Sequence, residues 1–542
     1  MHPKLLMWPL VAALLLTQCN TKQPKKDQMP LVRPPFEHLD TLATNDWWNR
    51  APNPIIDLKV DRDSVLAFGI YTLSNDILKL SAQAYPLYPD EDREVHLEIY
   101  KDRAWQRMAT ERINDLGWSA TFKMTNWDSS RDWPYRLRHG KNATYTGTIR
   151  KDPKDKAVIS MAALSCNSNK DRGMRNNYVR NINHQDPDII FFSGDQSYDH
   201  SEHTAAWLKF GKQFRETFRH RPCITIPDDH DIGQGNLWGE GGKKSVSKGG
   251  PDGGYTYHPE YVNMVERCQT AHLPDPYDAT PVDRGIGVYY TNLLLGGVDF
   301  AILEDRKFKS GPEGKIPQQG PRPDHIRDPE YEPSSIDLPG LTLLGKRQLD
   351  FLEDWGQDNP THLKVVLSQT GFCGGAHIHG RPDNRLHADL DSNGWPQTGR
   401  NKALALIKKA NAVHVAGDQH LATVIRHGIE EFRDGPWAFV VPAIVNDYYS
   451  RWWWPEEELP GANPNTATSL PWTGDYVDGF GNKISIMAYA NPESDSYGAG
   501  YGLIKFNTET RETTFECWPR EADVTQANAS QFEGWPIVVP HE

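Results

Sequence analysis

Apolar and polar positions alternate with a period of two from residue 46 to residue 152. "EVHLEIY" puts Val95, Leu97 and Ile99 on one face, "PYRLRHG" does so with Tyr135 and Leu137, and "ATYTGTI" continues the pattern. Short alternating runs separated by turn residues predict a β-sandwich. No cluster of reactive side chains falls inside it, so a packing or positioning role is expected of this region.

After the break "RKDPKDK" the pattern changes. Apolar runs now read as fully buried strands, and amphipathic helical faces lie between them. Trp207, Phe210, Phe214 and Phe218 share one face of "AAWLKFGKQFRETFRH", as do Leu349, Leu352 and Trp355 of "GKRQLDFLEDW". Buried strands alternating with such helices predict an α/β domain over residues 155–520. Residues 501–519 read as its closing hairpin and residues 521–542 as a C-terminal tail. Residues 233–260 are Gly-rich and predict a long loop. Residues 448–476, with "YYSRWWWPEE" and "LPWTGDY", read as an aromatic insertion.

The 542 residues exceed one compact core and predict two or three domains. A formal net charge of −13 gives no electrostatic reason to bind nucleic acid or an anionic membrane face. Any anionic substrate must therefore meet a local positive centre. At the N-terminus, Lys4 precedes the apolar run Leu5–Leu16, a secretory pattern too short to span a bilayer. Leu-Thr-Gln-Cys, ending at Cys19, resembles a bacterial lipoprotein cleavage box with Cys19 as the lipidated residue. Residues 1–19 are thus expected to be a signal peptide and residues 20–45 a polar tether. An exported, lipid-anchored envelope protein follows as the expectation, monomeric and membrane-bound only through that anchor. Five cysteines remain after Cys19; an odd number in an exported chain invites another use for one, and Cys166 is the candidate.

Six apolar runs in the α/β region end in polar residues. They close at Cys166; at Asp195 and Tyr198; at Asp228, Asp229, His230 and Asp231; at Glu304, Asp305 and Arg306; at Gln369; and at Asp418 and His420. Ligands of open α/β sheets sit beyond the carboxyl ends of strands. Were these strands parallel neighbours, one crevice would collect a thiol, a phenol, several carboxylates, two imidazoles and a guanidinium. Burying so many carboxylates without counter-charge is prohibitive, and two metal ions would neutralise them. Thiolate and phenolate favour a trivalent centre such as Fe³⁺. Carboxylate and amide oxygens suit Ca²⁺, Mg²⁺ or Mn²⁺.

The segments "SC", "GDQSY", "DDHD", "EDRKF" and "GDQH", in this order, resemble the PhoD-like alkaline phosphatases of the metallophosphoesterase superfamily. The pattern there is roughly Ser-Cys, Gly-Asp-x-x-Tyr, Asp-Asp-His-Glu, Asp-Thr-Arg and Gly-Asp-x-His. The likeness spans about residues 46–520. This chain departs at Asp231 and at Glu304-Asp305. The resemblance implies an α/β/β/α sandwich catalytic domain preceded by the all-β sandwich. It also implies that Cys166, Tyr198 and His420 hold iron. Asp195 would bridge two metals, and Asp229 and Asp418 would hold the second, Ca²⁺ or alternatively Mn²⁺, Mg²⁺ or Zn²⁺. Gln369 stands where the wider superfamily often has a metal-binding His, and is a further ligand candidate.

The expected chemistry is in-line hydrolysis of an oxyanion ester by a metal-activated water. His230 would protonate the leaving oxygen, and Arg306 would brace the substrate oxygens unless it pairs with Glu304 or Asp305. Phosphate esters lead. The tryptophans Trp452, Trp453 and Trp454 offer a stacking face for sugar rings, which keeps open a sulfate-ester hydrolase acting on an algal-type sulfated glycan. A third reading is a non-catalytic glycan-binding lipoprotein.

Overall fold

The computed structural model describes residues 53–541 apart from 201, 329, 376–385, 447–469 and 491–497, and all counts below refer to these described residues. The signal segment with Cys19, the tether 20–45 and Trp452, Trp453 and Trp454 lie outside them.

The N-terminal region is all-β. One antiparallel sheet joins Leu66–Ser74, Ile77–Ala84 and Ser119–Met124. The other orders Ala104–Arg112, Glu94–Lys101, Trp133–His139 and Ala143–Ile149. The period of two survives in three dimensions: Trp133, Tyr135, Leu137 and His139 are buried, while the residues between them are not.

Beyond it stand two facing sheets. In the seven-stranded sheet, Cys223–Thr225, Ile189–Phe192 and Val158–Asn167 run parallel. In the eight-stranded sheet, Val298–Ile302, Leu363–Thr370 and Val413–Gly417 do the same. The six apolar runs are therefore not six neighbours. They are two sets of three, one on each layer.

Alternate side chains explain how the layers stack. Met161, Ala163, Phe191, Phe300, Val365 and Leu367 fill the space between the sheets. Their neighbours Ala162, Leu164, Ile190 and Phe192 turn outward to the helix His203–Phe218. On the far side, Ala301, Leu303 and Val366 meet the helices Gly345–Gln357 and Gln397–Lys409. Both strand faces are buried, which is why these runs lack alternation.

The helix His203–Phe218 buries every aromatic of its expected face. Phe192 meets Phe210 and Phe214 edge-on at 4.9 and 5.1 Å between ring centroids. Each such ring contributes about 1.5–3 kcal/mol when fully buried. On its other side the helix touches the N-terminal sheets: Phe68 meets Trp207 edge-on at 5.5 Å. Gly211 makes this approach feasible, because a Cβ there would fall 1.9 Å from the Phe68 ring.

The closing hairpin forms as expected, from Gly500–Asn507 and Glu512–Pro519. Residues after it are no loose tail, since Ile537–Pro540 pairs with Glu512–Pro519 and extends the sheet. Cys166, Cys223, Cys268, Cys373 and Cys517 are all buried free thiols. Among the described residues, no helix is long and apolar enough to cross a membrane.

Candidate metal centre

Both sets of parallel strands end on the same side, and their ends close on one cleft of about 190 Å³. The backbone turns sharply there. Cys166, Asp195, Asp418 and His420 all have left-handed φ values, of 55°, 58°, 67° and 57°. Such values are uncommon outside glycine and cost about 1–3 kcal/mol each, a strain that concentrates at functional sites. Here they aim four strand-end side chains into the gap between the sheets.

The first cluster is a thiol, a phenol, an imidazole and a carboxylate. Tyr198 Oη donates to Asp195 Oδ2 at 2.7 Å and lies 3.0 Å from His420 Nε2. The Cys166 thiol belongs to the same cluster, with the Ser165 hydroxyl 3.0 Å from its sulfur. One donor atom each from Cys166, Asp195 and His420 lies within 4.8 Å of the others. Burial, and then the charge of Asp195, push the Cys166 thiol and the Tyr198 phenol well above their usual pKa values. Both are neutral until a cation arrives.

The second cluster is carboxylate-rich. Asp195, Asp228, Asp229 and Asp418 bring their oxygens within 4.8 Å of one another. Burial, followed by neighbouring carboxylates, raises the pKa of Asp195 well above the ordinary value. Burial likewise raises Asp228 and Asp229, although Arg306 pulls both the other way. Asp195 Oδ1 and Asp229 Oδ1 are buried with no hydrogen-bond partner among the described residues. Unsatisfied buried carboxylate oxygens are costly, and a metal ion satisfies them. The donor set therefore fits two cations sharing Asp195.

Two residues left open by the sequence now have definite places. Asp231 Oδ2 accepts from the Asp195 amide at 2.8 Å and the Asp228 amide at 3.0 Å, closing a capping box on the turn Asp229–Ile232. It braces the ligand loops rather than facing the cleft. Asp228 instead takes Arg306, whose Nε donates to its Oδ1 at 2.6 Å.

Arg306 departs from the bracing role given it above. It pairs with neither Glu304 nor Asp305. Lys307 takes Glu304 at 2.9 Å, and Asp305 accepts from the amides of Gln369 and Thr370. The guanidinium is buried among Asp228, Asp391 and Asp418. Gln369 spends both ends of its side-chain amide on other partners. Its Oε1 accepts from the Asp305 amide, and its Nε2 donates to Pro227 O and Tyr289 Oη. A strand end looked the same in sequence whether it faced the cleft or tied two strands together.

His230 lines the cleft, its ring over Tyr198 with centroids 4.0 Å apart. Burial pushes its pKa down to about 3, and His200 adds to the shift. His200 Nε2 lies 2.6 Å from His230 Nδ1. The sequence reading missed His200 and Asp391. His200 follows Tyr198 by two, a spacing without meaning until the turn is seen. Asp391 belongs to "ADLDSNGWP", which has no apolar run before it; its signal was two aspartates spaced by two before Trp-Pro.

Residues 206–451 match the family model for PhoD-like phosphatases. The matched stretch holds Asp229, His230, Arg306, Asp418 and His420, whereas Cys166, Asp195 and Tyr198 precede it. No curated protein matches the chain. Among solved structures, one described as "Structure of PhoD" is similar at a TM-score of 0.62 and 16% identity, over 89% of this chain and 92% of that one. A purple acid phosphatase, PPD1, from yellow lupin (Lupinus luteus) seeds is similar at a TM-score of 0.49 and 13% identity, over 87% and 73%. The likeness to the PhoD structure shows the fold, an α/β/β/α sandwich with an all-β region before it.

Proposed function

We propose that this protein is a metal-dependent phosphoric ester hydrolase of the PhoD-like kind, with two cations sharing Asp195. The observation that carries the reading is the joining of a Cys-Tyr-His-Asp cluster to a carboxylate cluster at the strand ends. Cys166, Tyr198, His420 and Asp195 would hold Fe³⁺. Asp195, Asp229 and Asp418 would hold Ca²⁺ or another divalent ion. When bound, the metals would supply Lewis acidity and a water nucleophilic at neutral pH.

The chain's own residues do the rest. Asp195 fixes the spacing of the two clusters, and Asp231 holds its amide. His230 faces the leaving oxygen from the cleft wall. In the acid form His230 Nδ1–H would donate to His200 Nε2, 2.6 Å away, and the proton passed to the leaving oxygen would be the one on Nε2. The negative charge of a phosphate ester beside it would raise its pKa and favour the protonated, acid form. Tyr198, packed beneath with its ring tilted 32° to that of His230, keeps the imidazole in this orientation. The leader segment supports export, with lipidation at Cys19.

The experiment is a substrate panel with metal analysis. Purified protein would be incubated with aryl phosphate, bis-aryl phosphate, aryl sulfate and sulfated oligosaccharides, and phosphate, phenol and sulfate quantified. Release from the phosphate esters is expected, together with iron in the protein and a visible absorption band. Sulfate release without phosphate turnover would overturn the substrate class. A colourless, iron-free, fully active protein would overturn the role given to Cys166 and Tyr198.

A further inference from the structure

The four-stranded sheet of the N-terminal region has a second face, turned away from its core. Val95, Leu97, Tyr135 and Leu137 point inward and are fully buried. Their neighbours along the strands point outward. The strand Ala104–Arg112 forms one edge of this sheet and holds no buried residue. Trp105 stands opposite Tyr100, and their rings meet edge-on at 5.4 Å between centroids. The guanidinium of Arg136, two strands in from the edge, lies 4.5 Å from the Trp105 ring centroid. Both rings stay open to solvent, Tyr100 by 44% and Trp105 by 36%. Arg136 spends Nε and Nη2 on Glu98 Oε2, the first at 2.8 Å. Arg138 reaches Glu98 Oε1 only at 4.0 Å. Arg107 stands opposite Glu98 on the edge strand and forms no salt bridge among the described residues. One carboxylate thus serves three guanidiniums. At the strand ends Glu94 stands opposite Arg112, one charge against one.

Charged side chains on an edge strand guard against pairing with another chain. An exposed indole and phenol do the reverse, so edge protection does not account for them. Nor does the chemistry of the cleft, which none of these residues lines. We propose that this face is a platform for an acidic polysaccharide, a sugar chain bearing sulfate or carboxylate groups. Trp105 and Tyr100 offer an apolar corner to the C–H face of a sugar ring. Arg107 and Arg138 hold the positive charge that Glu98 leaves over, and a guanidinium fork pairs with the oxygens of such substituents. The net charge of −13 does not cancel this attraction, because charges more than about 8–10 Å away are largely screened at physiological salt. A nucleic-acid backbone is bound through many phosphate contacts, which so small a surplus of charge cannot supply. A sugar chain with spaced anionic groups needs only a few. The proposal is independent of the metal centre and goes beyond the hydrolytic reading.

The test is binding by the full-length protein, followed calorimetrically at low and high salt. The probes are dextran sulfate, polygalacturonate, neutral dextran and a single-stranded oligodeoxynucleotide. The variants are Trp105→Ala and the double substitution Arg107→Ala with Arg138→Ala. Aryl phosphate turnover should be the same in both as in the wild type. The wild type is expected to bind dextran sulfate, polygalacturonate or both, more weakly at high salt, and to leave neutral dextran unbound. The polymer that binds names the anionic substituent. Trp105→Ala should weaken that binding about 10-fold or more, as loss of an aromatic anchor does. The double arginine variant should weaken it as much and flatten its salt dependence. No binding of either acidic polymer, or a Trp105→Ala or double arginine variant at wild-type affinity, overturns the proposal. So does equally tight binding of the oligonucleotide, which would make the face a general polyanion surface. Should Trp105→Ala not fold, the double variant, altered only at outward-facing side chains, still decides. Ester turnover is not read in the binding experiment, so failure of the hydrolytic reading leaves this result standing, and the reverse holds too.

Discussion

Cys166, Tyr198 and His420 gather around Asp195, a carboxylate with no lysine or arginine partner among the described residues, while Asp228, Asp229, Asp391 and Asp418 gather around Arg306. These are two solutions to one problem, the burial of negative charge. The first set stays protonated, its thiol and phenol pushed up by burial, until a cation displaces the protons. The second carries a covalently attached cation. A protonated set is silent without metal and strongly selective for what can deprotonate it. A set with one guanidinium among four carboxylates is partly neutralised without metal, and the raised pKa values of Asp228 and Asp229 mark the charge left over.

Asp195 belongs to both sets, so its removal tests the comparison most severely. Asp195→Ala is expected to empty both sets and bring aryl phosphate turnover to background, with metal analysis as the check. His230→Ala should lower kcat by about 10²- to 10⁴-fold with the metal content unchanged. Loss of metal in that variant would move His230 from proton transfer to ligation, since it also lies within 4.8 Å of Asp195 and Asp229 donors. Asp231→Ala removes the acceptor for two ligand-loop amides, and should cost about 10- to 100-fold in metal affinity or activity.

A smaller effect is expected where the sheets meet. Ser165 Oγ lies 3.0 Å from the Cys166 sulfur and accepts from the Asp418 amide at 3.0 Å, linking the two sets. A Cβ on Gly417 would lie 2.2 Å from that hydroxyl and 2.1 Å from Ser193 Oγ. Gly417→Ala should destabilise the protein by about 1–3 kcal/mol, read as a lower Tm. The mildest expectation concerns pH. Burial raises Asp231 to about 7, so the folded metal-free chain holds a proton there that the unfolded chain has released. Its contribution to stability is present in mild acid and lost as the pH climbs from the ordinary carboxylate range through about 7. Thermal melts of metal-free protein across that range would show it, and metal loading should reverse the trend.

The strand ends were legible because each buried run stopped abruptly at a polar side chain, and strands of that kind point their carboxyl ends at a shared edge. The layering was not, because a buried strand reads the same in either of two stacked sheets. Only the alternate packing of Met161 against Ala162, or Phe300 against Ala301, separates the inner face from the outer. Gln369 was misread for a related reason: hydrogen bonds between neighbouring strands, such as those it exchanges with Asp305, leave no trace in an apolar run. Asp391 and His200 escaped because they ride on short turns whose direction is set by contacts distant in the chain.

Gly211 carries a consequence for how the molecule can be divided. The helix at its centre rests Phe210 and Phe214 on one layer and offers its backbone to Phe68 on the other, so neither neighbour is a detachable module. A truncation beginning near residue 153 would leave Trp207 and the flank beside Gly211 bare, a sticky surface suited to aggregation. Whatever chemistry the cleft performs, the region from residue 53 to 152 has to be inherited and expressed along with it.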